Sequence, residues 1–209
     1  MYQAILLAAG NSSRSGLNYN KVLYTLDDKP LIYISALNFI NDERCNKIFL
    51  VCKEEELDIF KKIFNQESKI EYVIGGKTRQ ESVSNALIHV DDEYVLIHDG
   101  ARPYYSSKLV NNIVEKLDSF NAVIPAMKVT DTIKVVENGI VIKTVDREML
   151  RTIQTPQGFK TSVIKLAHSL ANKKDYTDDS SMVEELTNEK VCVIDGEKDN
   201  IKYTQKEDF

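Results

Sequence analysis

The sequence predicts an α/β fold, a mostly parallel β-sheet with helices on both faces. Two observations lead to it. Short apolar runs of strand length alternate with amphipathic stretches along most of the chain, which is the pattern of repeated β-α units. The 209 residues also contain no internal repeat, low-complexity tract or linker, so the units belong to one domain large enough for a full core.

The elements follow in order. Ala4–Ala9 reads as the first strand. Pro30–Ile40 has helical spacing at Leu31, Ile34, Leu37 and Ile40, and proline is acceptable in a first turn. Lys47–Cys52 reads as a strand, and Glu54–Phe64 as a helix with Leu57, Phe60 and Phe64 on one face. Lys69–Ile74 is a strand and Thr78–Val90 a helix opened by polar residues. Glu93–His98 is a strand that ends in Asp99-Gly100. Ser106–Phe120 is a helix capped at Ser106 or Ser107, and Ala122–Val129 is a strand.

Ile133–Val145 breaks the alternation. Two β-branched runs flank Asn138-Gly139, the strongest short hairpin signal. An isolated hairpin is marginal in water, so this one is expected to pack on its own domain or on a second subunit. The remainder reads as helices Thr161–Asn172 and Asp179–Thr187, a strand Val191–Ile194 and a further strand at Ile201–Thr204.

Composition narrows the function. A net charge of −5 disfavours a nucleic-acid binder, yet a local cation cluster can still hold a small polyanion. No apolar run approaches the roughly 20 residues of a membrane span, and the N-terminus lacks a basic, apolar leader, so a cytoplasmic location is expected. Cys45, Cys52 and Cys192 match no metal or redox spacing, and the last two sit inside apolar runs as small core residues. His89, His98 and His168 are too scattered to mark a metal site or triad, and His89 and His168 fall within predicted helices.

Ligands of open parallel sheets sit at the carboxyl ends of the strands, which points to the loops starting at Gly10, Gly75 and Asp99. Leu6–Lys21, LLAAGNSSRSGLNYNK, runs from an apolar strand into a loop of small residues with two cations, Arg14 and Lys21. Such a loop is either an ordinary surface connection or a phosphate cradle, since small residues let backbone N–H groups approach phosphate oxygens. It is not a dinucleotide fingerprint, because Ser12 and Ser15 occupy the second and third glycine positions. Gly76-Lys77-Thr78 is not a Walker loop either, because Glu71 stands where its first glycine belongs. Further clusters lie at Gly75–Ser82 (GGKTRQES), His98–Pro103 (HDGARP), Thr144–Arg147 (TVDR) and in TDDSSMVE with GEKDNIKYT near the end. They bring Arg14, Lys21, Arg79, Arg102, Arg147 and Lys202 towards one end of the sheet, with a few acidic groups among them.

With these motifs the chain resembles the cytidylyltransferases that couple CTP to 2-C-methyl-D-erythritol 4-phosphate in non-mevalonate isoprenoid synthesis. The resemblance covers nearly the whole chain. It rests on LLAAGxxxR with a lysine seven residues on, GGxxRxxSV, HDGARP, DTIK, TVDR, QTPQxF, TDDSSMVE and NIKYT, in that order. It implies a single Rossmann-like nucleotidyltransferase domain over residues 1–209 with a protruding β-hairpin arm for dimerisation at about 130–150. It also implies Arg14, Lys21 and Lys202 as catalytic cations. Ala8, Ala9, Gly10, Gly75, Gly76, Arg79 and Ser82 would bind or support the nucleotide. Asp99, Arg102, Thr132, Arg147 and Thr177 would hold the acceptor, with Thr132 and Arg147 serving a partner's site. Mg²⁺ is expected on the triphosphate, with its protein ligands unassigned. The nearest alternatives are transfer to ribitol 5-phosphate and a silent nucleotide-binding module on the same fold.

The chain departs from the family pattern at several points. Ser12 replaces a glycine, Ser15 a methionine and Asn20 a proline, which predicts a looser loop before CTP binds. Arg151 stands where an aromatic is common, and the chain ends at Phe209 where relatives add a helix, leaving the packing there open.

Overall fold

The computed structural model describes residues 1–12, 14–171 and 176–209. Its elements are β1 (Tyr2–Leu7), a small hairpin of β2 (Thr25–Leu26) and β3 (Lys29–Pro30), α1 (Leu31–Asn41), β4 (Cys45–Cys52), α2 (Leu57–Ile63), β5 (Ile70–Ile74), α3 (Arg79–Leu87), β6 (Tyr94–Asp99), α4 (Ser107–Leu117) and β7 (Ala122–Lys128). Then come the hairpin β8 (Ile133–Glu137) and β9 (Ile140–Val145), β10 (Arg151–Ile153), β11 (Gln157–Lys160), α5 (Thr161–Leu170), α6 (Asp179–Leu186) and β12 (Val191–Asp195). The predicted alternation is recovered. Asn172, the expected end of the fifth helix, lies outside the described residues.

β1 is central, parallel to β6 on one side and to β4 on the other, with β5 parallel beyond β4. β12 runs parallel to β7. Between β6 and β7 lies β11, antiparallel to both, and β10 continues along the same edge of β7. No long apolar run announces β10 or β11. Their segments are short and half polar, and long-range pairing makes them strands.

The pleat sorts side chains to two cores. Ala4 and Leu6 of β1 with Ile48, Leu50 and Cys52 of β4 face α1, α2 and α4. Ile5, Phe49 and Val51 point the other way, against α3, α5 and α6. Among the described residues no helix is long and apolar enough to cross a membrane.

The cap expected at Ser106 is in place, accepting from the Leu109 N–H at 3.1 Å, and Thr78 caps α3 by accepting from the Glu81 N–H at 3.1 Å. Asn138 and Gly139 both have positive φ, 49° and 79°, which is the primed turn that Asn-Gly serves in a hairpin. The hairpin is a separate two-stranded sheet with Val136, Ile140 and Ile142 54%, 69% and 57% exposed.

Two expectations need correction. Ile201–Thr204 is not a strand. It is an extended segment held by the Tyr203 N–H on the Ala101 carbonyl at 2.9 Å, and it lacks the ladder of bonds a strand needs. The third helix ends at Leu87, which leaves His89 in the exposed turn that follows. At the C-terminus the Phe209 ring packs against Tyr24 and Tyr203, at centroid distances of 5.0 and 5.6 Å.

Candidate active site

β1 delivers its carboxyl end to the middle of the sheet, where both neighbours hold it: the Ala8 N–H donates to the Val51 carbonyl at 2.8 Å, and the Gly100 N–H to the Leu7 carbonyl at 2.9 Å. Beyond it, the departures from the family pattern act as restraints. Ser12 adopts a positive φ of 54°, a conformation that costs an L-residue something and a glycine little. Its carbonyl accepts from the Ser15 N–H and Oγ at 3.0 and 2.8 Å, and its Oγ accepts from the Lys21 N–H at 2.8 Å. Asn20 is 4% exposed and donates to the Ala8 carbonyl at 2.6 Å and to Glu56 at 2.8 Å. It also opens the single 3-10 turn Lys21–Leu23. The restraint that a proline would impose through φ is supplied here by side-chain hydrogen bonds.

This loop walls a cavity of about 330 Å³ lined by Ala9, Gly10, Arg14, Lys21, Gly76, Arg79, Ser82, Asp99 and Lys202 among others. Ala8 is buried just beneath it. Burial first, then the charges of Lys202 and Arg14, depress the pKa of Lys21 below its ordinary value. Three cations repelling one another around one hollow form a site short of negative charge.

The second wall is the turn into α3. A Cβ on Gly75 would lie 2.7 Å from the Ala9 Cβ and 3.0 Å from the Ser82 Oγ, so only glycine lets this turn close on the β1 loop. Ser82 holds the turn by accepting from the Gly76 N–H at 3.0 Å. Arg79 faces inward. Its Nη1 lies 2.7 Å from Asp179 and its Nε 3.4 Å from Asp99. Asp179, 1% exposed at the start of α6, also faces His168 at 3.4 Å. Burial would raise the Asp179 carboxyl pKa, but Arg79 and His168 hold it below its ordinary value.

Asp99 divides this cavity from a second of about 280 Å³, which is lined by Arg79, Asp99 and Lys202 and, from the other side, by Arg102, Gln157 and Thr177. Lys202 Nζ lies 2.6 Å from Asp99 Oδ2. Burial opposes ionisation of Asp99, but Arg79 and Lys202 outweigh it and hold the carboxyl well below its ordinary range. Arg102 donates to the carbonyls of Asn200 at 2.7 Å and Ile153 at 3.4 Å, and burial depresses its pKa.

Most of the residues expected from sequence therefore gather around two adjoining cavities. Thr132 and Arg147 do not: both are exposed at the base of the hairpin, line neither cavity, and Arg147 donates to the Thr130 carbonyl at 2.5 Å. Arg151 is likewise turned to local carbonyls, those of Glu148 and Leu150 at 2.8 and 2.7 Å. Asp179, Gln154 and Asn200 also shape the site, though no sequence motif marks them individually. Gln154 donates to the carbonyls of Glu197 and Asn200 at 2.8 and 3.2 Å, while Asn200 donates to the Thr155 carbonyl at 2.8 Å. This clip sets the start of the segment that carries Lys202. QTPQ and NIKYT are separate motifs in the sequence, and only the fold brings them into contact.

Among the described residues no group of three or more His, Cys, Asp or Glu side chains could hold a metal ion. Asp99 is the one carboxylate in the lining of the first cavity among those residues. That donor set fits a hard cation held chiefly by phosphate oxygens, which needs one protein carboxylate or none.

A family model described as 2-C-methyl-D-erythritol 4-phosphate cytidylyltransferase matches residues 2–209. A protein of that name from Bacillus thuringiensis is 38% identical over 215 residues, covering 100% of this chain and 95% of its own. Another of that name, from Geobacillus thermodenitrificans, is 40% identical over 214 residues, covering 100% and 93%. Among solved structures, the 4-diphosphocytidyl-2C-methyl-D-erythritol synthase of Anaerococcus prevotii superposes with a TM-score of 0.88 at 34% identity, covering 99% of this chain and 94% of that one.

Proposed function

The chain belongs to the 2-C-methyl-D-erythritol 4-phosphate cytidylyltransferase family, and we propose that it transfers the cytidylyl group of CTP to 2-C-methyl-D-erythritol 4-phosphate. The products are 4-diphosphocytidyl-2-C-methyl-D-erythritol and pyrophosphate. The observation that carries the reading is the pair of adjoining cavities that share Arg79, Asp99 and Lys202 as their common wall. Two substrates that must meet phosphate to phosphate need such an arrangement.

In this reading CTP occupies the first cavity. The small residues Ala9, Gly10, Gly75 and Gly76 let its base lie close to the backbone, and Arg14 and Lys21 draw in the triphosphate. The acceptor lies in the second cavity beside Arg102 and Thr177. An oxygen of its phosphate attacks the α-phosphorus of CTP. The new P–O bond forms as the bond to the β-phosphate oxygen breaks, and pyrophosphate leaves with that electron pair. Lys21 and Lys202 offset the negative charge that concentrates on the α-phosphate oxygens. Such catalysis is by positioning and charge, and it requires no protein nucleophile. Mg²⁺, bound mainly by the triphosphate with Asp99 within reach, would supply further neutralisation of the phosphates.

The exposed apolar hairpin supports a homodimer in which each arm covers the partner. Thr132 and Arg147, which line neither cavity of their own chain, would then serve the partner's acceptor. The setting would be the cytoplasm, where CTP is available.

A coupled pyrophosphate-release assay with CTP and each acceptor tests the reaction. Turnover with methylerythritol phosphate is expected, and turnover with ribitol 5-phosphate alone would overturn the choice of acceptor. Mixing inactive Lys21→Ala and Arg147→Ala chains tests the arm. Activity should partly return in mixed dimers, and none returning with mixed dimers verified would remove Arg147 from the partner's site.

A further inference from the structure

The segment after Lys202 folds back against the nucleotide loop. Asp208 makes the fold. Its Oδ2 accepts from the main-chain N–H groups of Thr204 and Gln205 at 2.6 and 2.7 Å, and its own N–H donates to the Gln205 carbonyl at 3.2 Å. A carboxylate on two backbone donors is a strong local clasp. The chain turns through the single 3-10 turn Lys206–Asp208 and brings Phe209 back against the body of the protein.

Phe209 lands between two aromatic rings. The Tyr24 ring meets it in a T-shaped contact at 5.0 Å and 73°, and the Tyr203 ring in another at 5.6 Å and 66°. Each tyrosine is tied to one of the lysines read as acting on the α-phosphate, Lys21 and Lys202. The Tyr24 N–H donates to the Lys21 carbonyl at 3.0 Å, and the Tyr24 carbonyl accepts from the Leu31 N–H at 2.8 Å. Tyr24 therefore closes the turn Lys21–Leu23 onto α1. Tyr203 follows Lys202 directly, is 9% exposed, and donates its N–H to the Ala101 carbonyl at 2.9 Å. Thr204 Oγ1 donates to the Lys202 carbonyl at 3.0 Å. Further back in the nucleotide loop, the Lys206 stem runs beside Gly16, where a Cβ would lie 3.5 Å from Lys206 Cγ and Cδ. No residue from Tyr203 to Phe209 lines either cavity, so the segment reaches substrate only through the loop and through the main chain of Lys202.

We propose that Phe209, held by Asp208, is a positioning residue for the nucleotide end of the site: wedged between Tyr24 and Tyr203, it fixes the Lys21–Leu23 turn against the segment that carries Lys202 before CTP arrives. The proposal rests on the reading of the first cavity as the CTP site. Order that the wedge supplies in the free protein is order that CTP does not have to create, and the difference falls on CTP affinity. The acceptor side is held separately, by the bonds from Arg102 to the Asn200 and Ile153 carbonyls.

In the full chain, Phe209→Ala should raise the CTP KM about tenfold, the scale of two lost aromatic pairs, with the acceptor KM changed by less than about twofold. Phe209→Tyr keeps the ring and should stay within about twofold of wild type for both substrates. Tyr24→Leu should raise the CTP KM to a similar degree, and the double variant should add less than about twofold to either single change, because both break the same contact. Both KM values unmoved in Phe209→Ala, whatever its melting temperature, would reduce Phe209 to packing and overturn the proposal. So would both moved equally, a tyrosine variant as impaired as the alanine one, or single effects that multiply in the double variant. Lys21→Ala separates the two readings. If it leaves kcat and the CTP KM unchanged, the assignment of the first cavity fails. If it impairs them while Phe209→Ala does not, the wedge alone fails. Should Phe209→Ala not fold, hydrogen exchange of the wild-type protein without nucleotide decides. The amides of Tyr24, Thr204 and Gln205 should all be protected. A Tyr24 amide that exchanges as in an unstructured peptide until CTP is added would overturn the proposal.

Discussion

Lys202 Nζ rests 2.6 Å from Asp99 Oδ2, while Arg79 approaches the other oxygen of the same carboxylate at 3.4 Å. Asp99 thus holds in place the lysine proposed to act on the reacting phosphate, at the wall between the two cavities.

Replacing Lys202 by methionine keeps the stem and removes the charge. Turnover should fall by roughly 10²–10³, as for removal of one preorganised transition-state contact. Steady-state kinetics with both substrates would check this, and a change confined to the CTP KM would limit Lys202 to binding.

Lys21→Ala should lower kcat by a similar factor of roughly 10²–10³. The alkaline limb of the pH profile offers a finer test. Lys21 is charged below its pKa, and burial with the neighbouring Lys202 and Arg14 charges lowers that pKa. Activity towards CTP should therefore fall at a lower pH than an ordinary lysine would dictate. Lys21→Arg should move the limb upward, and a limb that stays in place would assign it to another group.

Asn20→Ala removes the bonds to the Ala8 carbonyl and Glu56. A loss of about 1–2 kcal/mol in urea unfolding is expected, together with a higher KM for CTP. Ser12→Gly should raise the CTP KM less, because glycine relieves the positive φ even as the bond to the Lys21 N–H is lost. Wild-type behaviour of Asn20→Ala would show that the loop is held by its remaining bonds.

Burial lowers the pKa of His98 from 6.5 to about 4. Between those values the unfolded chain takes up a proton that the folded chain refuses, so stability falls as pH drops from 6.5 towards 4 and is fully present above 6.5. The stability lost by about pH 4 relative to neutral pH is roughly 3 kcal/mol. Melting curves of wild type and His98→Gln across this range should converge on acidification. Parallel curves would show that His98 does not titrate there.

The sequence by itself determined the main alternation of strands and helices, the cap at Ser106, the Asn-Gly hairpin and most of the cations that gather around the two cavities. These features follow from local pattern: apolar period, turn chemistry and small-residue loops at strand ends. Tertiary structure alone decided the rest. β10 and β11 are strands because β6 and β7 leave an open edge between them, not because their residues form a run. Asp179 became the anchor of Arg79 only when α6 packed beside α3 and α5. His98 looked like one of three scattered histidines until folding brought Thr155 within 2.9 Å of its ring. Local propensity is encoded over a few neighbouring residues, whereas a buried polar group is defined by partners far along the chain. Lys202 meets Asp99 across 103 positions, and no spacing rule spans such a distance.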